Sequence, residues 1–406
     1  MKNQIRSQVK NSKTRSIFGI EAYSVNRISE YIYDINSDYN NCFSIYETTI
    51  FCLFKIPVYK IAREHDIKKY FLFGVKIKSI SMAEIFYERN FKQINEDYDD
   101  AYILQAASGE QFLWLAYASR THVAKNKSIK PLLIGSRDTI ADLVKMYLPE
   151  ATYIVNKKCR GFDTEKSYLE YSNHKFFVTK NLAKSSVYLT FNSSCLRDEY
   201  LSLKFWELCG IHKDEIQLPK AIISNESKIS LDQKIKQLNI NFEKFIILAP
   251  EANSFLKPPA IFWETVAQKF KDMGVDVFLN FINDNNFISG CKIPSEPLTY
   301  SEIYELALKA KAIVSLRSGF TETMLPTLTP IIVIQTLQLN IMYKQFENST
   351  IPTTADSFSL FAIPFVKKEN VRDVWYYDYG TSNEASDAVL SCYGEMIKNR
   401  ASMKEG

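Results

Sequence analysis

Phe245-Ile246-Ile247-Leu248-Ala249-Pro250-Glu251-Ala252-Asn253-Ser254 is the stretch that decides the fold. Five consecutive apolar residues without alternation describe a strand buried on both faces, as in a parallel sheet, and the proline ends it in a polar loop. The helical pattern at about 259–273 stacks Phe262, Val266 and Phe270 on one stripe, with Trp263 and Ala267 beside it, and Gly274 supplies its stop. A strand is expected at 275–281. Thr299-Tyr300-Ser301-Glu302 then has the spacing of a capping box and opens a helix with Ile303, Leu306, Ala307 and Ala310 inward. Strand 312–316, a short helix at 321–328 and, after Pro330, strand 331–335 continue the alternation, which specifies a doubly wound parallel sheet.

Upstream, a second alternation is readable. An apolar strand at 101–106 leads through a turn at Ser108-Gly109 into a helix from Glu110 that aligns Phe112, Ala116, Ser119 and Val123. A strand at 131–134, a helix capped by Asp138 and running through Tyr147, and a strand at 152–155 follow. Strand and helix in this order imply parallel pairing with right-handed crossovers. Residues 160–239 read as mixed and partly helical. Before about residue 100 the expectation is an irregular extension, with a helix near 21–33 and then strand-like segments. Cys52-Leu53-Phe54-Lys55-Ile56-Pro57-Val58-Tyr59-Lys60-Ile61 aligns weakly with Phe71-Leu72-Phe73-Gly74-Val75-Lys76-Ile77-Lys78-Ser79-Ile80. Each copy alternates apolar and basic positions in its second half, as half-exposed strands do, whether they are simply neighbours or rest a lysine-rich face on a membrane or partner. The expected division is 1–100 as extension, 101–235 and 236–380 as two Rossmann-like domains, and 381–406 as a terminal helix.

The 406 residues suffice for two or three cores, and 46% hydrophobic against 24% charged content describes a globular chain. A net charge of +4, with acids and bases interleaved, is not that of a nucleic-acid binder. Lys2, Arg6, Lys10, Lys13 and Arg15 precede the first acidic residue, Glu21, and suggest a mobile basic arm that is solvated or touches anionic lipid. No apolar run reaches bilayer length and no signal peptide is evident. The seven cysteines are scattered with no CxxC pair, and the four histidines form no HExxH, so neither a disulfide framework nor a zinc site is indicated. A reducing cytoplasm is expected. With no GxGxxG after a strand and no GxxxxGK[ST], the dinucleotide fingerprint and the Walker loop are both absent.

Ligands of open parallel sheets bind beyond the carboxyl ends of the strands. Two such loops carry suitable chemistry. Pro250, Glu251, Asn253, Ser254 and Lys257 offer a carboxylate, an amide, a hydroxyl and a cation. Arg317, Ser318, Gly319, Phe320, Thr321 and Glu322 offer a bidentate phosphate ligand, a glycine that permits close backbone approach, and a helix start. The structural alternatives are a salt bridge closing a sheet edge for Arg317 and helix caps for Glu251 and Glu322. Arg137, in Gly135-Ser136-Arg137-Asp138, is a candidate acceptor contact, although a cap by Asp138 explains the same residues.

The runs 247–254, Phe262-Trp263-Glu264, Gly274-Val275-Asp276-Val277-Phe278-Leu279-Asn280 and Ser315-Leu316-Arg317-Ser318-Gly319-Phe320 resemble bacterial GT-B glycosyltransferases of surface-polysaccharide assembly, distantly similar to heptosyltransferases. The resemblance implies two Rossmann-like domains facing a cleft, a nucleotide sugar held by the C-terminal one through the two loops and Asn280, no metal-bound DxD site and no cofactor besides the donor. The implied acceptor is a lipopolysaccharide, capsule or related glycan or glycolipid at the inner face of the membrane. Where heptosyltransferases place Gly-Asp after the first strand this chain has Ser108-Gly109-Glu110, so the resemblance makes Glu110 the general base and Ser108 and Gly109 acceptor contacts. Arg317-Ser318-Gly319 stands in place of the family's Asp-Thr-Gly, and Arg317 would stabilise the leaving diphosphate. Two other classes fit the same scaffold: a sugar-nucleotide epimerase or hydrolase, and a non-catalytic assembly protein docked on a membrane complex.

Overall fold

The computed structural model describes residues 4–17, 20–33, 42–54, 56–64, 67–92, 94, 97–104, 111–112, 114–125, 127–135, 137–156, 168–171, 173–178, 218–252, 256–281, 288–336, 366–367 and 369–405. The chain divides into two compact units, one of residues 1–105, 128–136 and 152–192, the other of 106–127, 137–151 and 193–406. Within them lie an antiparallel sheet and two five-stranded sheets that are parallel apart from one hairpin, giving a mixed α/β fold.

The first unit begins with a six-stranded meander, β1 (Gln4–Ile17), β2 (Ile20–Tyr33), β3 (Cys42–Leu53), β4 (Ile56–Glu64), β5 (Ile67–Leu72) and β6 (Val75–Ser81), each paired antiparallel with the next. Two expectations are corrected here. Residues 21–33 are strand rather than helix, since β2 is paired on both sides and its valine, isoleucines and tyrosines suit extended backbone. The basic N-terminal segment is not a mobile arm from Gln4 on, because it pairs with β2 from Gln4↔Tyr33 to Ile17↔Ile20. The weak internal repeat is also resolved differently. Each copy straddles a hairpin turn, with Leu53↔Ile56 and Leu72↔Val75 as the closing pairs, so the repeat is of hairpins and not of single strands.

Helix α1 (Met82–Asn90) starts where Ser81 Oγ accepts from Glu84 N at 2.9 Å. Its Tyr87 ring sits 5.1 Å from Tyr171 and 6.1 Å from Phe176, which ties the meander to the next sheet. That sheet contains β7 (Asp100–Leu104), β8 (Leu132–Gly135), β9 (Thr152–Val155), β10 (Tyr168–Tyr171) and β11 (His174–Val178) in the order β10-β11-β7-β8-β9. All its pairings are parallel except the β10–β11 hairpin. Phe91, Ile103, Leu132, Ile134 and Phe176 form its core.

In the second unit a π-helical turn (Trp114–Ala118) runs into α2 (Ser119–Lys125), with Phe112, Ser119 and Val123 of the expected stripe buried and Ala116 half-buried. Helix α3 (Thr139–Tyr147) begins after Asp138, but Asp138 does not cap it. Its own backbone is already helical (φ −62°, ψ −35°), so its carboxylate cannot turn back to the first amides. Helix α4 (Asn225–Ile235) is capped by Ser224.

The C-terminal sheet is laid down as β12 (Phe245–Ala249), β13 (Asp276–Leu279), β14 (Ala312–Leu316), β15 (Ile331–Gln335) and β16 (Val371–Trp375), ordered β13-β12-β14-β15-β16 and parallel throughout. Helices α5 (Ala260–Asp272), α6 (Tyr300–Lys309), α7 (Gly319–Met324) and α8 (Ser382–Glu405) complete it. Gly274, at φ +69°, ends the α5 segment in the left-handed region that glycine adopts without strain. The capping box at α6 is present, with Thr299 N donating to Glu302 Oε2 at 2.7 Å. Helix α8 buries Ala385, Val389, Tyr393 and Met396 along one stripe, Tyr393 meeting Phe270 of α5 edge-on at 5.0 Å.

Candidate functional site

The C-terminal sheet reads 2-1-3-4-5 in sequence order, and this order creates a topological switch point between its first strand, β12, and its third, β14. From β12 the chain crosses to β13 on one side; from β14 it continues to β15 on the other, so the connections diverge at the carboxyl ends, the arrangement beside which open parallel sheets take ligands. Ala249 pairs with Ser315, so Pro250-Glu251 and Arg317-Ser318 leave the sheet side by side. Both expected loops therefore meet at the position where such sheets take ligands.

The β14 end is rigidly built. Arg317 N donates to Ile334 O at 3.0 Å, extending the ladder by one residue. Thr321 Oγ1 then fastens the turn: it accepts from Ser318 N at 3.3 Å, lies 3.2 Å from Ser315 Oγ and reaches Leu316 O at 3.3 Å. Arg317 is buried with Glu322, Nη2 to Oε1 at 2.7 Å, the side chains 8% and 9% exposed, and Nη1 donates to Ser318 O at 3.2 Å. The salt-bridge alternative for Arg317 is thus realised, within the loop rather than at a sheet edge. Gly319 and Phe320 are half-buried at the start of α7, which takes in Thr321 and Glu322.

Among the described residues, three buried side-chain atoms at these strand ends have no hydrogen-bond partner: Ser318 Oγ, Glu322 Oε2 and Gln335 Oε1. Gln335 closes β15, and its amide nitrogen donates to Asp373 Oδ1 at 3.0 Å. Buried acceptors without donors are costly, and a ligand bringing hydroxyl or amine hydrogens relieves that cost. Sequence reasoning did not single out Gln335. Its signal was available, a polar side chain ending the otherwise apolar run Ile331-Ile332-Val333-Ile334. Thr336 was likewise missed, and its hydroxyl donates to Leu256 O at 2.7 Å, holding the loop after β12 against the end of β15.

On the β12 side Glu251 is half-buried and Lys257 exposed, while Asn253 and Ser254 lie outside the described residues. Asn280, half-buried after β13, donates its backbone N–H to Leu248 O at 2.9 Å.

In the first unit β7 lies between β11 and β8, so its carboxyl end is also a reversal point of strand order. Ser108, Gly109 and Glu110, expected there, lie outside the described residues. Arg137 is exposed just beyond β8, past Gly135, whose carbonyl accepts from Asn156 N at 2.8 Å.

Among solved structures the chain is similar to ADP-heptose lipopolysaccharide heptosyltransferase II of E. coli (TM-score 0.42, 11% identity, 75% of this chain and 99% of that one). It is similar also to a glycosyl transferase family 9 protein from Veillonella parvula (TM-score 0.41, 9% identity, 75% and 99%). A third likeness is to the iron-containing dodecameric glycosyltransferase TibC of enterotoxigenic E. coli (TM-score 0.38, 12% identity, 94% of each chain). No family model matches the chain, and no curated protein matches it.

Proposed function

We propose that the chain is a glycosyltransferase that moves a sugar from a nucleotide-activated donor to a bacterial surface glycan acceptor, without a metal ion. The observation that carries this reading is the meeting of the Glu251 and Arg317 loops at the β12–β14 switch point, in a sheet that has neither a Walker loop nor dinucleotide glycines. In this reading Glu322 Oε2 and Gln335 Oε1 accept hydroxyl hydrogens of the donor, which supplies the partners they lack among the described residues. Arg317, ion-paired with Glu322 before the donor binds, exchanges that partner for the leaving diphosphate and stabilises its charge. Glu110 removes the proton from the acceptor hydroxyl as that oxygen attacks the anomeric carbon.

Thermal unfolding in the presence of UDP, GDP, CMP, ADP and dTDP sugars tests the reading. One nucleotide class is expected to raise the midpoint, because a ligand that binds only the folded state stabilises it. A folded sample that shifts with none of them overturns it. Glu110→Gln is expected to keep the midpoint shift and lose transfer to acceptor, whereas Gln335→Leu is expected to weaken the shift itself.

A further inference from the structure

The antiparallel meander exposes apolar side chains where its hairpins turn. Phe54 and Phe73 are 59% and 67% exposed, and their neighbours Leu53, Ile56, Leu72 and Val75 are exposed as well. In a meander alternate turns share one end, so the β3–β4 and β5–β6 turns stand at the same edge of the sheet. Phe73 N donates to Val58 O at 2.8 Å, which binds the second turn to the strand leading out of the first. Leu53 pairs with Ile56 and Leu72 with Val75, so each turn has an apolar closing pair at its base.

Both described phenylalanines hold the left-handed backbone, φ 49° at Phe54 and 47° at Phe73. Asparagine or glycine is the ordinary occupant of such a two-residue turn, and a bulky aromatic there is strained. Strain together with exposure is unfavourable for the isolated chain on both counts, which points to a role for the ring outside it. The charge around the turns is of one sign. Lys60, Lys76 and Lys78 are exposed, and neither 51–63 nor 67–81 contains an acidic residue.

We propose that this edge docks the protein on an anionic lipid bilayer, Phe54 and Phe73 entering the interface while the lysines meet the headgroups. Separate aromatic tips with flanking lysines suit a bilayer surface, which is fluid, apolar beneath and negative above. The contact is independent of the nucleotide-sugar reading, because none of these residues belongs to the strand-end loops.

The test is co-sedimentation of the full chain with vesicles of phosphatidylcholine alone and of phosphatidylcholine with phosphatidylglycerol in equal parts. Wild type is expected to sediment with the anionic vesicles and less as salt rises. Phe54→Asn with Phe73→Asn should lower the partition coefficient about tenfold or more, from the apolar area withdrawn. Asparagine takes the left-handed backbone readily, so the thermal midpoint should hold or rise and loss of binding is not loss of fold. Lys76→Glu with Lys78→Glu should also reduce binding, through charge alone. Absence of wild-type binding to anionic vesicles, or equal binding by the double asparagine variant, overturns the proposal. So does a lipid-free wild-type dimer that the asparagine variant abolishes, which would assign the tips to a second copy of the chain.

Discussion

Arg317 and Glu322 are five residues apart, each less than a tenth exposed, and they neutralise one another. A buried pair of this kind is worth little against an apolar replacement, but removal of one member leaves a charge stranded. Arg317→Ala is therefore expected to destabilise the protein by about 3–5 kcal/mol in urea unfolding, with Arg317→Met plus Glu322→Leu recovering most of it. A loss below about 1 kcal/mol for the single change would show the pair to be solvated. Glu302 makes a second prediction. Burial alone would raise its carboxyl, but hydrogen bonds from Lys234, Ser230 and the Thr299 backbone outweigh that and hold it below the usual carboxylate range. With the folded value depressed, its contribution is present above the unfolded value and disappears as pH falls through the folded one. Thermal midpoints of wild type and Glu302→Gln should thus differ at neutral pH and converge on acidification below about pH 4.

At the scale of elements, Asp142 of α3 accepts from Ser301 N at 2.6 Å and from Ser301 Oγ at 2.9 Å, so one carboxylate satisfies the first turn of α6 from outside that helix. Asp142→Ala is expected to cost about 1–3 kcal/mol, since the Ser301 amide then lacks its acceptor. In α8, Met396→Ala opens a cavity in the stripe facing the core and should cost about 2–5 kcal/mol in the same measurement. Elements with strong one-dimensional signals were legible: 245–249 is an unbroken apolar run, 312–316 and 331–335 are apolar except for Ser315 and the closing Gln335, and each strand has those bounds. Residues 21–33 misled because Val25, Ile28 and Ile32 also fit helical spacing, and only pairing with two neighbours decides for strand. Strand β16 went unread because Val371-Arg372-Asp373-Val374-Trp375 carries two charges, as an edge strand can when one side faces solvent.

For the molecule as a whole, alternation of strand and helix revealed two parallel sheets but not their strand orders, which depend on which strands pair across crossovers of many residues. The candidate site was legible to the same degree. Strand-end rules located the Pro250-Glu251 and Arg317-Ser318 loops, and the observed order of β12 and β14 brings them together. The contact of Gln335 with Asp373, 38 residues apart, leaves no periodicity or spacing in the sequence from which it could be inferred.

The placement of β16 has a consequence for synthesis. Strand β15 is buried along its whole length and hydrogen-bonds on one side to β14 and on the other to β16. A ribosome releases Ile331-Ile332-Val333-Ile334 well before Val371, so for some seconds a nascent chain presents an apolar edge with unpaired amides. Such an edge is a template for pairing with another chain, and chaperone demand should concentrate in that interval. Chains ending between 340 and 370 are expected to pellet on expression, whereas those ending at Gly380 should retain β16 and aggregate less, which a comparison of soluble fractions would measure.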